Sequence, residues 1–86
     1  MKMTHALKQK AKQLEPAIRI GKKGVSEQQL KQIMALLKKK KLIKIRLLKS
    51  YLEGKDKKAE ARKIAELADA RLIDAVGFVV VLARKT

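Results

Sequence analysis

Ile18-Arg19-Ile20-Gly21-Lys22-Lys23-Gly24-Val25-Ser26 is the stretch whose reading settles the architecture. Isoleucine, arginine and isoleucine alternate, as in a short strand with one buried face. Two glycines then bracket two lysines. Ser26 follows, and Gln29 stands three residues later, a capping-box pattern that opens a helix. A strand, a glycine loop and a capped helix in that order make a βα unit. The same order suits a phosphodiester backbone. Glycines let another chain approach closely. A helix start offers unpaired N–H groups and the positive end of its dipole, and the lysines add point charges.

Downstream, Leu30, Ile33, Met34 and Leu37 repeat at helical spacing and predict the buried face of that helix. It runs out in Lys38-Lys39-Lys40-Lys41, where cations favour the negative end of the dipole. In residues 42–48, Ile43, Ile45 and Leu47 alternate with Lys44 and Arg46, which predicts a half-buried strand with one basic face. Residues 49–56, with Gly54, read as a loop. Asp56 suits the cap of a helix over 57–69, with Ala61, Ile64, Ala65 and Ala68 as its buried stripe and Leu67 beside it. Strands at 72–76 and 78–84 flank Gly77 and form a hairpin. Upstream, Thr4 suits the cap of a helix over 4–14, with Leu7, Ala11 and Leu14 on one face, and Pro16 ends it before a strand at 17–20.

The expected order is α-β-α-β-α-β-β. It predicts a two-layer α/β domain with a mixed four-stranded sheet, parallel through its βα units and completed by one antiparallel strand. The apolar strand 78–84 suits either a central place in the sheet or a partner's surface.

Eighty-six residues are the length of one domain, taken as 1–86. Tyr51 and Phe78 are the only aromatic side chains, so Leu, Ile, Val, Ala and Met must build the core. The chain contains no cysteine, which excludes disulfides and thiolate metal sites. No signal-peptide pattern follows Met1, and the longest apolar run, Phe78 to Ala83, is far short of the ~18 residues of a membrane span. A cytoplasmic protein without membrane contact is the expectation. Net charge is +15, and it is uneven: the first 49 residues carry fifteen Lys or Arg against two acids, the remainder eight against six. So local an excess implies a polyanionic partner.

Enzymatic chemistry is not expected. His5 is the sole histidine and reads as an exposed residue at a helix start. Ser26 reads as a cap, and the acids Glu53, Asp56, Glu60, Glu66 and Asp69 follow a solvated helix and its flanks. No spacing suits a metal. The Gly-x-x-Gly pattern lacks the remaining residues of a nucleotide-binding loop, so no cofactor is expected. Nucleic acid fits better. Gly21, Lys22, Lys23 and Gly24 are the leading contact residues, with Arg19, Lys31, Lys44, Arg46 and Arg84 as further candidates. For Lys38–Lys41, Lys44 and Arg46, a solvated surface and a binding face both remain open. Scarce aromatics point away from base-stacking sheets and towards phosphates, sugars and RNA shape, with strong salt dependence.

The chain resembles the CRM (chloroplast RNA splicing and ribosome maturation) domain in its single-domain, YhbY-like form. The resemblance runs from the Leu/Lys-rich segment Leu7–Leu14 through Ile20-Gly21-Lys22-Lys23-Gly24-Val25-Ser26 and Leu42-Ile43-Lys44-Ile45-Arg46 to Ala68–Leu72, Val76-Gly77 and Val80–Arg84. Ala83 and Phe78 depart from the family's pattern, which often has an aromatic at the first position and a polar or basic residue at the second. The resemblance implies a fold like the C-terminal domain of bacterial initiation factor three. It also implies binding of structured RNA through Gly21–Gly24, and a role with ribosomal RNA in large-subunit precursors or with introns. A monomer is the favoured oligomeric state. The alternative is an Alba-type chromatin protein, also small and basic, but with a long hairpin arm and no first helix.

Overall fold

A computed structural model describes residues 9–85. Thr4, His5, Leu7 and most of the expected first helix lie outside the described residues; residues 9–11 are helical and lead through a turn towards Pro16. The elements that follow are β1 (Ile18–Ile20), α1 (Glu27–Lys39), β2 (Leu42–Leu47), α2 (Lys49–Leu52), α3 (Lys57–Leu67), β3 (Ala70–Val76) and β4 (Val79–Arg84).

The four strands form one mixed sheet in the order β1-β2-β4-β3. β1 pairs parallel to β2, whereas β4 is antiparallel to both β2 and β3. β1, β2 and β3 therefore share a direction, and β4 alone opposes it. The hairpin folds back so that β4 lies between β2 and β3. That central place explains its composition: Val80, Val81, Leu82 and Ala83 are all buried, since a central strand packed on both faces has no wet side.

One face of the sheet carries the main core. Ile20, Ile45, Leu47, Val80 and Leu82 meet Ile33 and Leu37 of α1 and Ala61, Ile64 and Ala65 of α3. The alanines let α3 lie close to the strands. Met34 leaves the expected stripe and is 39 % exposed. It sits about 100° around the helix from Ile33, outside the arc shared by Leu30, Ile33, Leu36 and Leu37. On the opposite face Ala11 and Leu14 pack against Leu42, Ile73, Val81 and Ala83. A register shift between Leu72 and Asp74 leaves Ile73 as an extra residue, which joins that second cluster.

Several boundaries differ from expectation: the first helix ends at residue 11 rather than 14, and the first two strands are 18–20 and 42–47 rather than 17–20 and 42–48. The segment after β2 is not wholly loop, because Lys49–Leu52 forms one helical turn, α2. α3 stops at Leu67 rather than 69, since Asp69 takes a left-handed conformation (φ 53°) that ends the helix and starts β3 early at Ala70. Phe78 belongs to the hairpin turn, not to β4. Among the described residues no helix is long and apolar enough to cross a membrane.

Candidate nucleic-acid interface

The glycine loop is a tight turn with its lysines at the tip. The Gly24 N–H donates to the Gly21 carbonyl at 2.8 Å, which places Lys22 and Lys23 at the two middle positions. The two glycines differ in kind. Gly24 has φ +79°, and a β-carbon there would lie 3.3 Å from Cε1 of Tyr51. A side chain at this position meets both a disfavoured backbone region and a ring. Gly21 has ordinary space, with Leu48 Cδ1 at 3.5 Å from a built β-carbon.

Gln29 pins the loop from the helix side. Its backbone N–H donates to Ser26 Oγ at 3.0 Å, and its Oε1 accepts from the Ser26 N–H at 3.3 Å, completing the capping box. Its amide nitrogen also donates to the Arg19 carbonyl at 3.0 Å. One side chain thus ties the strand entering the loop to the helix leaving it. Tyr51 supports the loop from below. Its ring is buried, its hydroxyl donates to Glu60 Oε1 at 2.5 Å, and Lys55 Nζ sits 4.3 Å from the ring centroid. Burial first, then the hydrogen bond to Glu60 and the charge of that carboxylate, push the phenol up to about 12. The turn is therefore rigidly based, while Lys22 and Lys23 are exposed and have no hydrogen-bond or ion-pair partner among the described residues.

Beside the loop, Arg19 and Arg46 are register partners across β1 and β2 and both are exposed. Two arginines abreast on one face make a local positive field that is unfavourable by itself. Lys31 is exposed on α1, five residues beyond Ser26 and so near the same end. Two other candidates hold parts of the fold together. Lys44 is half-buried, and its ammonium donates to the Leu14 carbonyl at 3.2 Å, holding the N-terminal segment over the sheet. Arg84 ends β4 at the opposite end from the loop and donates from Nη1 to the Lys38 carbonyl at 2.9 Å, closing the last turn of α1. The loop, Arg19, Arg46 and Lys31 share one end of the molecule; Lys44 and Arg84 have packing work of their own.

Tyr51 and the second task of Gln29 escape a linear reading. Gln29 signals only its cap, and Tyr51 stands in a segment without helical or strand periodicity. The lone buried aromatic side chain would have been the available clue.

Among the described residues no group of three His, Cys, Asp or Glu side chains is placed to hold a metal ion.

Known proteins share both sequence and architecture with this chain. A Methanocaldococcus jannaschii protein named a probable RNA-binding protein is 40 % identical over 83 residues, which are 96 % of this chain and 61 % of that protein. The chain thus spans less than two thirds of that relative's length. YqeI of Bacillus subtilis, also named a probable RNA-binding protein, is 32 % identical over 85 residues, covering 99 % of this chain and 86 % of the relative. The solution structure of a hypothetical protein from Staphylococcus aureus, described as a candidate RNA-binding protein, superposes with a TM-score of 0.81 at 30 % identity, covering 99 % of this chain and 86 % of that one. The model of the CRS1/YhbY (CRM) domain matches residues 1–84. With nearly the whole length matched and the mixed sheet in common, the chain belongs to the CRS1/YhbY (CRM) domain family.

Proposed function

We propose that the chain is a non-enzymatic RNA-binding domain that grips structured RNA by its backbone through the Gly21–Gly24 loop. One observation carries this reading. Among the described residues Lys22 and Lys23 have no partner, and they stand at the tip of a turn that Gln29, Gly24 and Tyr51 hold in place. A tight turn alone needs no such cations. The Arg19–Arg46 pair supports it, because a phosphate between or beside two guanidiniums relieves their repulsion. RNA is the polyanion favoured here, since the family relatives are named as probable RNA-binding proteins. The finer reading is that the RNA is ribosomal and met in precursors of the large subunit, with residues 1–86 acting as one domain and as a monomer. Lys31 extends the contact along α1. Lys44 and Arg84 each spend one donor on the fold, at the Leu14 and Lys38 carbonyls, and join the contact with the donors that remain.

The test measures affinity for a structured ribosomal RNA fragment and for duplex DNA across a salt series. RNA is expected to bind more tightly, and equal or tighter binding of DNA would overturn the reading. Lys22→Ala with Lys23→Ala should flatten the log–log salt slope by roughly 1.5–2 units if each lysine neutralises one phosphate. An unchanged slope would reduce the loop to a turn. Co-sedimentation with large-subunit precursors in cell extract tests the ribosomal assignment separately.

A further inference from the structure

Phe78 is the sole phenylalanine, and it is 45 % exposed in the turn between β3 and β4. A ring this exposed forgoes nearly half of the burial that a core position would give it. Its place in the fold is specific. β1, β2 and β3 share a direction, so the glycine loop after β1, α2 after β2 and the hairpin turn after β3 all emerge at one end of the sheet. Backbone contacts join them. The Leu48 N–H donates to the Ile20 carbonyl at 2.8 Å, and the Leu47 N–H donates to the Phe78 carbonyl at 2.6 Å. Leu48 in turn lies against Gly21. The aromatic ring is thus mounted on the same rigid end as Lys22 and Lys23.

Its surroundings combine apolar surface with charged side chains. Phe78 and Leu52 line an open groove with Lys49, Ser50 and Glu53, so its polar side holds one cation and one carboxylate. Leu48 and Val76, at 38 % and 65 % exposed, are further exposed apolar side chains at the same end of the sheet. Arg46 pairs in register with Val79, one residue beyond Phe78. An exposed ring with Lys49 on its groove and Arg46 on a neighbouring strand offers a flat surface for a base and cations for the adjoining phosphates, with Glu53 as a carboxylate the backbone must pass by.

We propose that Phe78 receives an unpaired base of the bound RNA by stacking, while the glycine loop holds the adjoining backbone. This rests on the RNA reading above and changes its character. The domain would distinguish a loop, bulge or end from a continuous duplex, although it has too few aromatic residues for a stacking sheet. A second copy of the chain is the competing occupant of the apolar surface, but a net charge of +15 on each copy disfavours self-contact.

The experiment uses the full chain and two RNA probes of equal length, a stem with an unpaired loop and a fully paired duplex. Phe78→Ala should weaken binding to the stem-loop by roughly tenfold, within the range measured for single base–aromatic stacks, and leave the duplex nearly unchanged. The salt slope should not move, since no charge is lost. Because the chain has no tryptophan, Phe78→Trp installs a single indole at the site, which is excited at wavelengths where Tyr51 does not absorb. Its emission should be quenched by the stem-loop and not by the duplex. Equal stem-loop affinity in the wild type and Phe78→Ala, or equal quenching by both probes, would overturn the stacking. Concentration-dependent dimerisation that Phe78→Ala abolishes, with RNA affinity unmoved, would assign the surface to a second copy and overturn it too. A wild-type chain that binds neither probe would instead defeat the RNA reading, and this inference with it.

Discussion

Lys22 and Lys23 stand at the tip of a four-residue turn, whereas Lys38 to Lys41 stand where a helix gives way to a strand. All six are exposed. At the helix end the cations have a structural reason. Lys38 and Lys39 lie in the last turn of α1, beside the negative end of its dipole. The Lys38 carbonyl accepts from Arg84, the Lys40 N–H returns to Leu36, and the Lys41 carbonyl accepts the Arg84 N–H. At the turn no carbonyl array calls for charge, yet Gln29 and Tyr51 fix the backbone that presents it. Equal residues at the two ends of one sheet thus answer different demands. Charge counts alone would rank the Lys38–Lys41 run first.

The largest test of that contrast compares two double variants. Lys22→Ala with Lys23→Ala should lower RNA affinity roughly 30-fold near physiological salt, the counterion effect of two phosphate contacts. Lys39→Ala with Lys40→Ala should lower it less than about threefold, through the general field alone. Fluorescence anisotropy titrations decide it, and equal losses would erase the distinction between the ends.

Backbone geometry sharpens the comparison next. Gly24→Ala places a side chain at φ +79° and against Tyr51, and should cost about 1–2 kcal/mol, some 5–10 °C in Tm. Gly21→Ala, with ordinary space around it, should shift Tm by much less. Thermal melts that rank the two glycines in reverse would show that the turn is not held as described.

The support under the loop should reveal itself in alkali. Tyr51→Phe removes the hydrogen bond to Glu60 at a cost of about 1 kcal/mol near neutrality. Because the folded state raises the phenol from 10.0 to about 12, it holds that proton more tightly than the unfolded chain does. The wild type's advantage is therefore full below pH 10 and fades as pH rises towards 12. Urea melts of both proteins across that window should converge at the alkaline end, with lysine titration common to both. A gap that stays constant would mean that Tyr51 does not titrate as described.

The smallest effect belongs to the far end. Arg84→Met removes the donor to Lys38 and should cost about 0.3–1 kcal/mol of stability while lowering RNA affinity much less than Lys22→Ala with Lys23→Ala does. A loss of RNA binding as large as theirs, with intact folding, would put Arg84 on a par with the loop.

Much of the fold was legible because local physics dictates it. The Ser26–Gln29 cap, the alternation of Ile43, Ile45 and Leu47, the Asp56 cap and the Gly77 turn each act within a few residues. Short range also explains the misses. One helical turn at 49–52 has no period to detect, and Met34 and Ile33 look alike until a sheet selects the helix face. The site divides in the same way. Gly21–Gly24 could be read as a turn with charge, whereas Lys44 and Arg84 could not be separated from Arg19 and Arg46, because their partners lie 30 and 46 residues away.

The order of residues by itself determined a basic α/β domain with a glycine turn between a strand and a capped helix. Only the tertiary structure decided that β4 is central, that Tyr51 underlies Gly24, and that Phe78 stands at the loop's end of the sheet. The reason is the reach of the interactions. Caps and alternation act over three or four residues, while strand order is settled by which pairing buries Val80 to Ala83 on both faces, a condition that involves the whole chain at once.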